Sequence, residues 1–255
     1  MKPTAPAHSR KLNATANAGE RLAKRVAALI PCSRSEAEQY IEGGWVRVDG
    51  QVIEEPQHRV QQQTIAVDPH ASLLERTAIT LVLHKAAGVP WQQAVATLRP
   101  GNHWAQDPSD TRVLKRHFNK LECTVALETG ATGLMAFTQD WRTQRKLAED
   151  QDTMEHELIA DVHGEVSADA LARIQRTLND ARQALPVAKV SINSANPERS
   201  KLRFAIKGAH PGLVAYLCEK AQLEVLALRR IRLGRVTLSD LPLGQWRYLA
   251  PGERF

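Results

Sequence analysis

A closely spaced series of helix and turn signals near the amino terminus most constrains what this chain can fold into. Apolar residues recur at helical spacing over residues 22–30, and Pro31 ends that helix. Residues 33–36 have the Ser-x-x-Glu form of a capping box, which opens a second helix that ends at the glycine pair 43–44. The Asp-Gly pair at 49–50 lies between two short β-rich stretches and supplies the positive φ angles of a tight hairpin. The sequence therefore predicts a small unit of two helices and a hairpin.

Residues throughout this unit match a known pattern in order and spacing. They are Arg21-Leu22, Ser33-Arg34, Ala37, Ile41, Gly44, Val46, Val48 and Asp49-Gly50. On these residues the segment 19–70 resembles the S4-type RNA-binding domain. The resemblance implies that the exposed face of the second helix and the start of the first contact structured RNA, through Arg21, Lys24, Arg25 and Arg34. The alternative is that each of these charges only solubilises the surface, because single phosphate contacts are interchangeable.

The rest of the chain mixes strand and helix patterns. An apolar run ending at Lys85 indicates a buried strand, and residues 202–207 alternate as a half-buried strand should. Ser167 precedes a helical pattern that extends to Leu185, and Pro211 begins another helix. Strands mixed with helices predict an α+β domain, with a mainly antiparallel mixed sheet and helices packed on it. The predicted organisation is a disordered tail over 1–18, the small α/β-hairpin unit over 19–70 and the sheet domain over 77–255.

The charge of the chain favours a polyanionic partner. The 34 Lys and Arg residues outnumber the 28 Asp and Glu residues, which gives a formal net charge of +6. Nine Lys and Arg fall between Arg199 and Arg235, with only Glu219 and Glu224 as acids, and a second basic stretch spans 112–120. The alternative is an ordinary solvated face, so charge alone leaves nucleic acid as one of two interpretations.

Several classes of protein are disfavoured by what the sequence lacks. The three cysteines are widely spaced without a C-x-x-C pair, which argues against a disulfide framework or a thiolate zinc site and fits a reducing cytoplasm. No run approaches the roughly 18 apolar residues of a membrane span. His156 and His163 lie among acids, but on a strand they point to opposite faces, so no metal site is expected. Without a P-loop or dinucleotide fingerprint we expect no cofactor, and we expect a cytoplasmic monomer.

Residues 126–134 read Ala-Leu-Glu-Thr-Gly-Ala-Thr-Gly-Leu. They resemble the signature loop of ribosomal RNA pseudouridine synthases, Gly-Arg-Leu-Asp-x-x-Thr-x-Gly-Leu, with Glu128 in the place of the aspartate. A second resemblance is the Pro-Leu-Gly-x-Trp-Arg turn at 242–247, and a third is Lys85 with Gly88 after the first strand of the sheet domain. Together with the front unit, the resemblance covers residues 19–255 and implies an RNA partner, with Lys85, Arg230 and Arg232 among the RNA contacts.

In that family an aspartate acts on the ribose of the target uridine, a tyrosine stacks on the base and an arginine pairs with the aspartate. The resemblance places these roles on Glu128, His156 and Ala215. A carboxylate moved by one methylene, and without its arginine, is misplaced and less well aimed. The leading hypothesis is an RNA-binding protein that engages structured, ribosomal RNA with isomerisation weak or lost. The alternative is an active pseudouridine synthase that uses Glu128, and a protein-interaction factor without RNA affinity is disfavoured by the basic stretch after Arg199.

Overall fold

The computed structural model describes residues 19–73 and 78–255 and divides the chain into two compact units. The first unit runs to Glu75 and includes Leu114–Arg116, and the second comprises Arg76–Val113 and His117–Phe255. The tail predicted over residues 1–18 lies outside the described residues. No helix within the described ranges has both the length and the apolar character that a membrane crossing requires.

The described part of the first unit contains two helices and five short strands. They are β1 (Glu20–Arg21), α1 (Leu22–Leu29), α2 (Arg34–Glu42), β2 (Val46–Val48), β3 (Gln51–Val52), β4 (Arg59–Val60) and β5 (Ile65–Val67). The predicted capping box is confirmed: Ser33 Oγ accepts from the Glu36 amide at 3.2 Å, and the Ser33 amide donates to Glu36 Oε2 at 2.6 Å. The predicted hairpin joins β2 to β3, with φ angles of 49° at Asp49 and 82° at Gly50. Leu22, Val26, Ile41 and other apolar side chains of these elements form one buried core.

The second unit is built around a large sheet. Its elements are β6 (Thr80–Lys85), α3 (Trp91–Ala94), β7 (Thr132–Thr138), α4 (Trp141–Glu149), β8 (Glu155–His163), α5 (Ala168–Leu178), β9 (Ala188–Ser194), β10 (Arg199–Lys207), α6 (Leu213–Lys220), β11 (Val225–Leu233), β12 (Val236–Thr237) and β13 (Trp246–Tyr248). The strand order is β13-β6-β7-β11-β8-β10-β9, with β12 paired to β11. The β7–β11 pair is parallel and the other pairs of this sheet are antiparallel, so the predicted α+β class with a mixed, mainly antiparallel sheet is confirmed.

Helices α5 and α6 pack on one face of this sheet, where Leu158 of β8 and Phe204 of β10 lie in the same apolar cluster. The alternation predicted around Phe204 is confirmed, because successive residues of β10 are alternately buried and more exposed. The helix predicted to extend to Leu185 ends instead at Leu178. Asp180 then caps a short 3-10 turn through its side chain, and Ala184 adopts a left-handed conformation, so the chain leaves the helical path earlier than the apolar pattern suggests.

Gly133 is the residue that lets β7 lie beside β11. Its φ is 119°, and a Cβ added there would lie 2.3 Å from the backbone oxygen of Arg230. Only glycine adopts this conformation at low cost and leaves room for so close a backbone. The segment that precedes β7 is therefore held against the middle of the sheet.

Candidate functional site

The loop before β7 is fastened to the sheet by Arg230 of β11, which is only 2% exposed. Its Nε donates to Leu134 O at 2.8 Å, its Nη1 to Ala126 O at 3.1 Å and its Nη2 to Val125 O at 3.1 Å. Burial lowers the pKa of the guanidinium to about 10, so the group still carries its charge at neutral pH. The buried arginine thus fixes the backbone that leads into Glu128.

Glu128 is half-buried at the end of this loop, and its carboxylate has a backbone partner. Glu128 Oε1 accepts from the amide of Gly212 at 3.0 Å, at the amino terminus of α6. A helix amino terminus favours a negative charge, because the first amide groups lack partners within the helix. Within the part of the chain that the structure describes, no arginine, lysine or histidine nitrogen lies within 4.0 Å of this carboxylate.

Glu128 and His156 line the same small cavity in the second unit, of about 40 Å³. The other lining residues are Ala126, Leu127, Leu158, Ile206, Gly208, Ala209, His210, Pro211, Val214 and Arg230. His156 is 3% exposed, and its Nε2 has no hydrogen-bond partner. Burial, helped by the charges of Arg230 and His210, lowers the pKa of His156 to about 3, so the ring is neutral at pH 7. A cavity of this size holds about one water molecule.

The first unit carries an open groove of about 440 Å³, which we call the basic groove. Its charged lining residues are Glu20, Arg21, Lys24, Arg34 and Arg59. The β1–β4 pairing sets Arg21 directly opposite Arg59, and two like charges in such a pair repel each other. Four cations against one carboxylate make this groove suited to an anionic ligand.

Among the residues with defined positions, no group of three or more His, Cys, Asp or Glu side chains is placed to hold a metal ion.

This chain is similar to known proteins over both of its units. A family model described as the S4 domain matches residues 20–64. An uncharacterized RNA pseudouridine synthase of Aquifex aeolicus is 24% identical over 236 residues, which is 91% of this chain and 94% of the relative. Ribosomal small subunit pseudouridine synthase A of Pseudomonas aeruginosa is 26% identical, over 91% of this chain and 98% of the relative. Ribosomal large subunit pseudouridine synthase B of Bacillus subtilis is 24% identical, over 92% and 93%.

The chain thus contains an S4 domain and is similar to pseudouridine synthases over about nine-tenths of its length. A crystal structure of a pseudouridylate synthase has the same fold, with a TM-score of 0.54 and 18% identity over 90% of this chain and 96% of that one.

The structure brings together two of the three positions to which the pseudouridine synthase resemblance assigned catalytic roles. Glu128 and His156 share the cavity, whereas Ala215 is exposed and is not among the lining residues. The preceding residue, Val214, lines the cavity instead, because successive residues of a helix point in different directions. Position 215 therefore does not line the cavity that Glu128 and His156 share.

Two of the predicted RNA contacts, Lys85 and Arg230, have side chains inside the protein. Lys85 is 1% exposed, and its Nζ donates to Ala86 O, Val89 O and Thr129 O at 2.9, 2.8 and 3.2 Å. Arg230 is buried in the same way, under the Glu128 loop. Arg232 is partly exposed, but its guanidinium is engaged with Glu155, Glu157 and a backbone carbonyl. The three cationic groups are thus engaged in contacts within the protein.

In the S4 domain the structure gathers Arg21, Lys24 and Arg34 in the basic groove, and Arg25 is exposed outside its lining. Arg59 was missed by the sequence analysis, although it lies in the same groove and donates to Gly19 O at 2.8 Å. No local pattern marks Arg59, because β1 and β4 are each two residues long and meet only through tertiary pairing. The sequence indicated a helix start at Pro211, but Gly212 was missed as the partner of Glu128 because the two residues are 84 positions apart along the chain.

Proposed function

We propose that this chain binds structured ribosomal RNA through the basic groove of its S4 domain and that its conversion of uridine to pseudouridine is weak or lost. The relatives named for ribosomal subunits support the choice of RNA. The groove supports the binding mode, because clustered arginine and lysine side chains neutralise phosphates and release counterions.

The proposal that isomerisation is weak or lost is based on the cavity at Glu128. A carboxylate that acts on a ribose needs room for the nucleotide and a partner that keeps it aimed, whereas this cavity holds about one water molecule. Glu128 is occupied with the Gly212 amide. The neutral His156 ring is only 3% exposed, so stacking on a base would require the ring to become exposed.

The expected result is therefore little or no pseudouridine when the purified protein is incubated with an unmodified ribosomal RNA transcript. The measurement is carbodiimide modification followed by primer extension, with a Glu128→Gln variant as the matched control. The control keeps the side-chain length and removes the charge. Site-specific turnover by the wild type that disappears in Glu128→Gln would contradict the loss of activity.

One observation favours the alternative of an active enzyme that uses Glu128. The Gly212 amide and the amino terminus of α6 stabilise the negative charge of Glu128 and fix its direction without an arginine. If the cavity opens on binding RNA, this carboxylate is already aimed. The same carbodiimide assay separates the two functions.

For the RNA-binding part, we expect the double variant Arg21→Gln/Arg59→Gln to bind a ribosomal RNA transcript more weakly and with a smaller salt dependence. Loss of two phosphate contacts should reduce the slope of log Kd against log salt by about 1.5. The matched control is Arg47→Gln/Arg99→Gln, which removes the same charge from exposed positions outside the groove lining. Equal slopes for the two double variants would place the RNA contact outside the basic groove.

We further propose the cytoplasm as the compartment and the monomer as the working form. Free Cys32, Cys123 and Cys218 support a reducing compartment. The measurement for the monomer is the mass in solution by light scattering.

A further inference from the structure

One face of the large sheet carries charged side chains from four neighbouring strands, which we call the charged sheet face. On β8 it includes Glu155, Glu157 and Asp161, and the register of β8 with β10 and β11 brings basic residues beside them. The basic members are Lys189 on β9, Arg199, Lys201, Arg203 and Lys207 on β10, and Arg229 and Arg232 on β11. The seven cations exceed the three carboxylates, so the face is positive.

The charged sheet face lies on the side of the sheet opposite the Glu128 cavity. His156 and Leu158 line that cavity, and they alternate along β8 with Glu155 and Glu157. Because successive side chains of a strand point to opposite faces, a ligand of the charged sheet face would be bound away from the cavity.

Each of the three carboxylates on this face forms an ion pair with an arginine. Arg232 pairs with both Glu155 and Glu157, Arg203 pairs with Glu157 at 2.5 Å, and Arg199 pairs with Asp161. The arginines hold the pKa of Glu157 below its usual range even though burial acts in the opposite direction. Each carboxylate of this face is thus paired with an arginine.

The remaining cations are Lys189, Lys201, Lys207 and Arg229, which make no ion pair within the described ranges. Lys189, Lys207 and Arg229 are exposed, and Lys201 is half-buried. Lys189 lies opposite Ala205, which puts it on a diagonal to Lys207, roughly 7–8 Å away between backbone positions. Such a group of like charges is stabilised by an anion placed between them.

We propose that the lysines of β9 and β10 on the charged sheet face bind the phosphate backbone of RNA, as a second RNA contact in addition to the S4 domain. This inference rests on the proposed RNA-binding function. Ser191 and Ser194 of β9 lie on the same face, opposite Arg203 and Lys201, and add hydroxyl donors for phosphate oxygens.

The composition of the face favours a nucleic acid over a protein partner. At the register positions between the charges, the apolar side chains are the small residues Ala205 and Ala227 and the buried Ile159, so these positions present no large exposed anchor. Protein interfaces depend on such anchors, whereas phosphate contacts need flexible cations and hydroxyl groups.

The test uses the full chain and an unmodified small-subunit ribosomal RNA transcript, with Kd measured over a series of KCl concentrations. The variant Lys189→Gln/Lys201→Gln/Lys207→Gln should weaken binding at least about tenfold at low salt and reduce the slope of log Kd against log salt by about 2–3. Photo-crosslinking of the wild type should label peptides from residues 188–207. An unchanged slope and no label in these peptides would overturn the proposal.

The matched control is Lys120→Gln/Lys146→Gln/Lys220→Gln, which removes three exposed lysines from positions outside the charged sheet face. If this control loses as much affinity, the effect belongs to net charge and the proposal is wrong. Unfolding by urea checks that both triple variants remain folded.

Two further results separate this inference from the proposed function. If Arg21→Gln/Arg59→Gln weakens binding and the β9–β10 lysine variant does not, the basic groove binds RNA and the charged sheet face does not. If the wild type does not bind the transcript, the proposed function itself fails.

If polyglutamate displaces the RNA from the wild type but not from the lysine variant, the partner is an acidic polypeptide and the proposal is overturned.

Discussion

Replacing Arg230 by methionine is expected to lower the free energy of unfolding by about 3 kcal/mol or more. Methionine keeps most of the length of the side chain but donates no hydrogen bond, so the carbonyl oxygens of Val125, Ala126 and Leu134 lose their shared partner. Each buried polar group left unpaired costs about 1–3 kcal/mol. The measurement is urea unfolding followed by circular dichroism.

The neighbouring residue provides the control for this prediction. Arg229 is exposed, whereas Arg230 is 2% exposed, so Arg229→Met should change stability by no more than about 0.5 kcal/mol. Equal stabilities of the two variants would show that Arg230 does not hold the Glu128 loop.

Replacing Gly133 by alanine is expected to destabilise the second unit by about 3 kcal/mol or more, or to prevent its folding. The added Cβ would lie 2.3 Å from Arg230 O and 2.6 Å from Arg230 N, and the φ of 119° disfavours any side chain. Backbone atoms in the middle of a sheet cannot move away as the end of a flexible side chain can. Thermal unfolding of the purified variant measures the loss.

Gly130, three residues earlier, is the matched control. A Cβ added there meets no atom within 4 Å, so Gly130→Ala should keep nearly the wild-type melting temperature. If the Gly133→Ala variant had the same melting temperature as Gly130→Ala, then β7 and β11 would not be so closely paired.

The features predicted correctly from the sequence depend on residues that are close along the chain. The capping box joins Ser33 and Glu36, the hairpin turn is made by Asp49 and Gly50, and the alternation around Phe204 is a property of one strand. Short-range hydrogen bonds and φ preferences decide such features before any tertiary contact forms. The helix predicted to reach Leu185 is the exception, since apolar spacing alone did not show where Asp180 would cap a new turn.

The sequence did not show which cations of the basic stretch after Arg199 form ion pairs. The sequence shows an excess of cations from Arg199 onward, but the acids that neutralise Arg199 and Arg203 are Asp161 and Glu157, 38 and 46 residues away. Strand order brings these acids and arginines together, and among the described residues it leaves Lys201, Lys207 and Arg229 without an ion pair. Counting charges in one segment therefore located the positive region but not its unpaired members.

By itself the sequence determined the S4 unit, the α+β class of the second unit and the carboxylate at position 128, because local motifs specify these. Only the tertiary structure decided which cations are internal supports and which face solvent, and that Glu128 binds the Gly212 amide in a cavity shared with His156. The physical reason is that the burial and pairing of a charge depend on contacts between distant parts of the chain. The strands and helices that make these contacts are separated by roughly 40 to 100 residues.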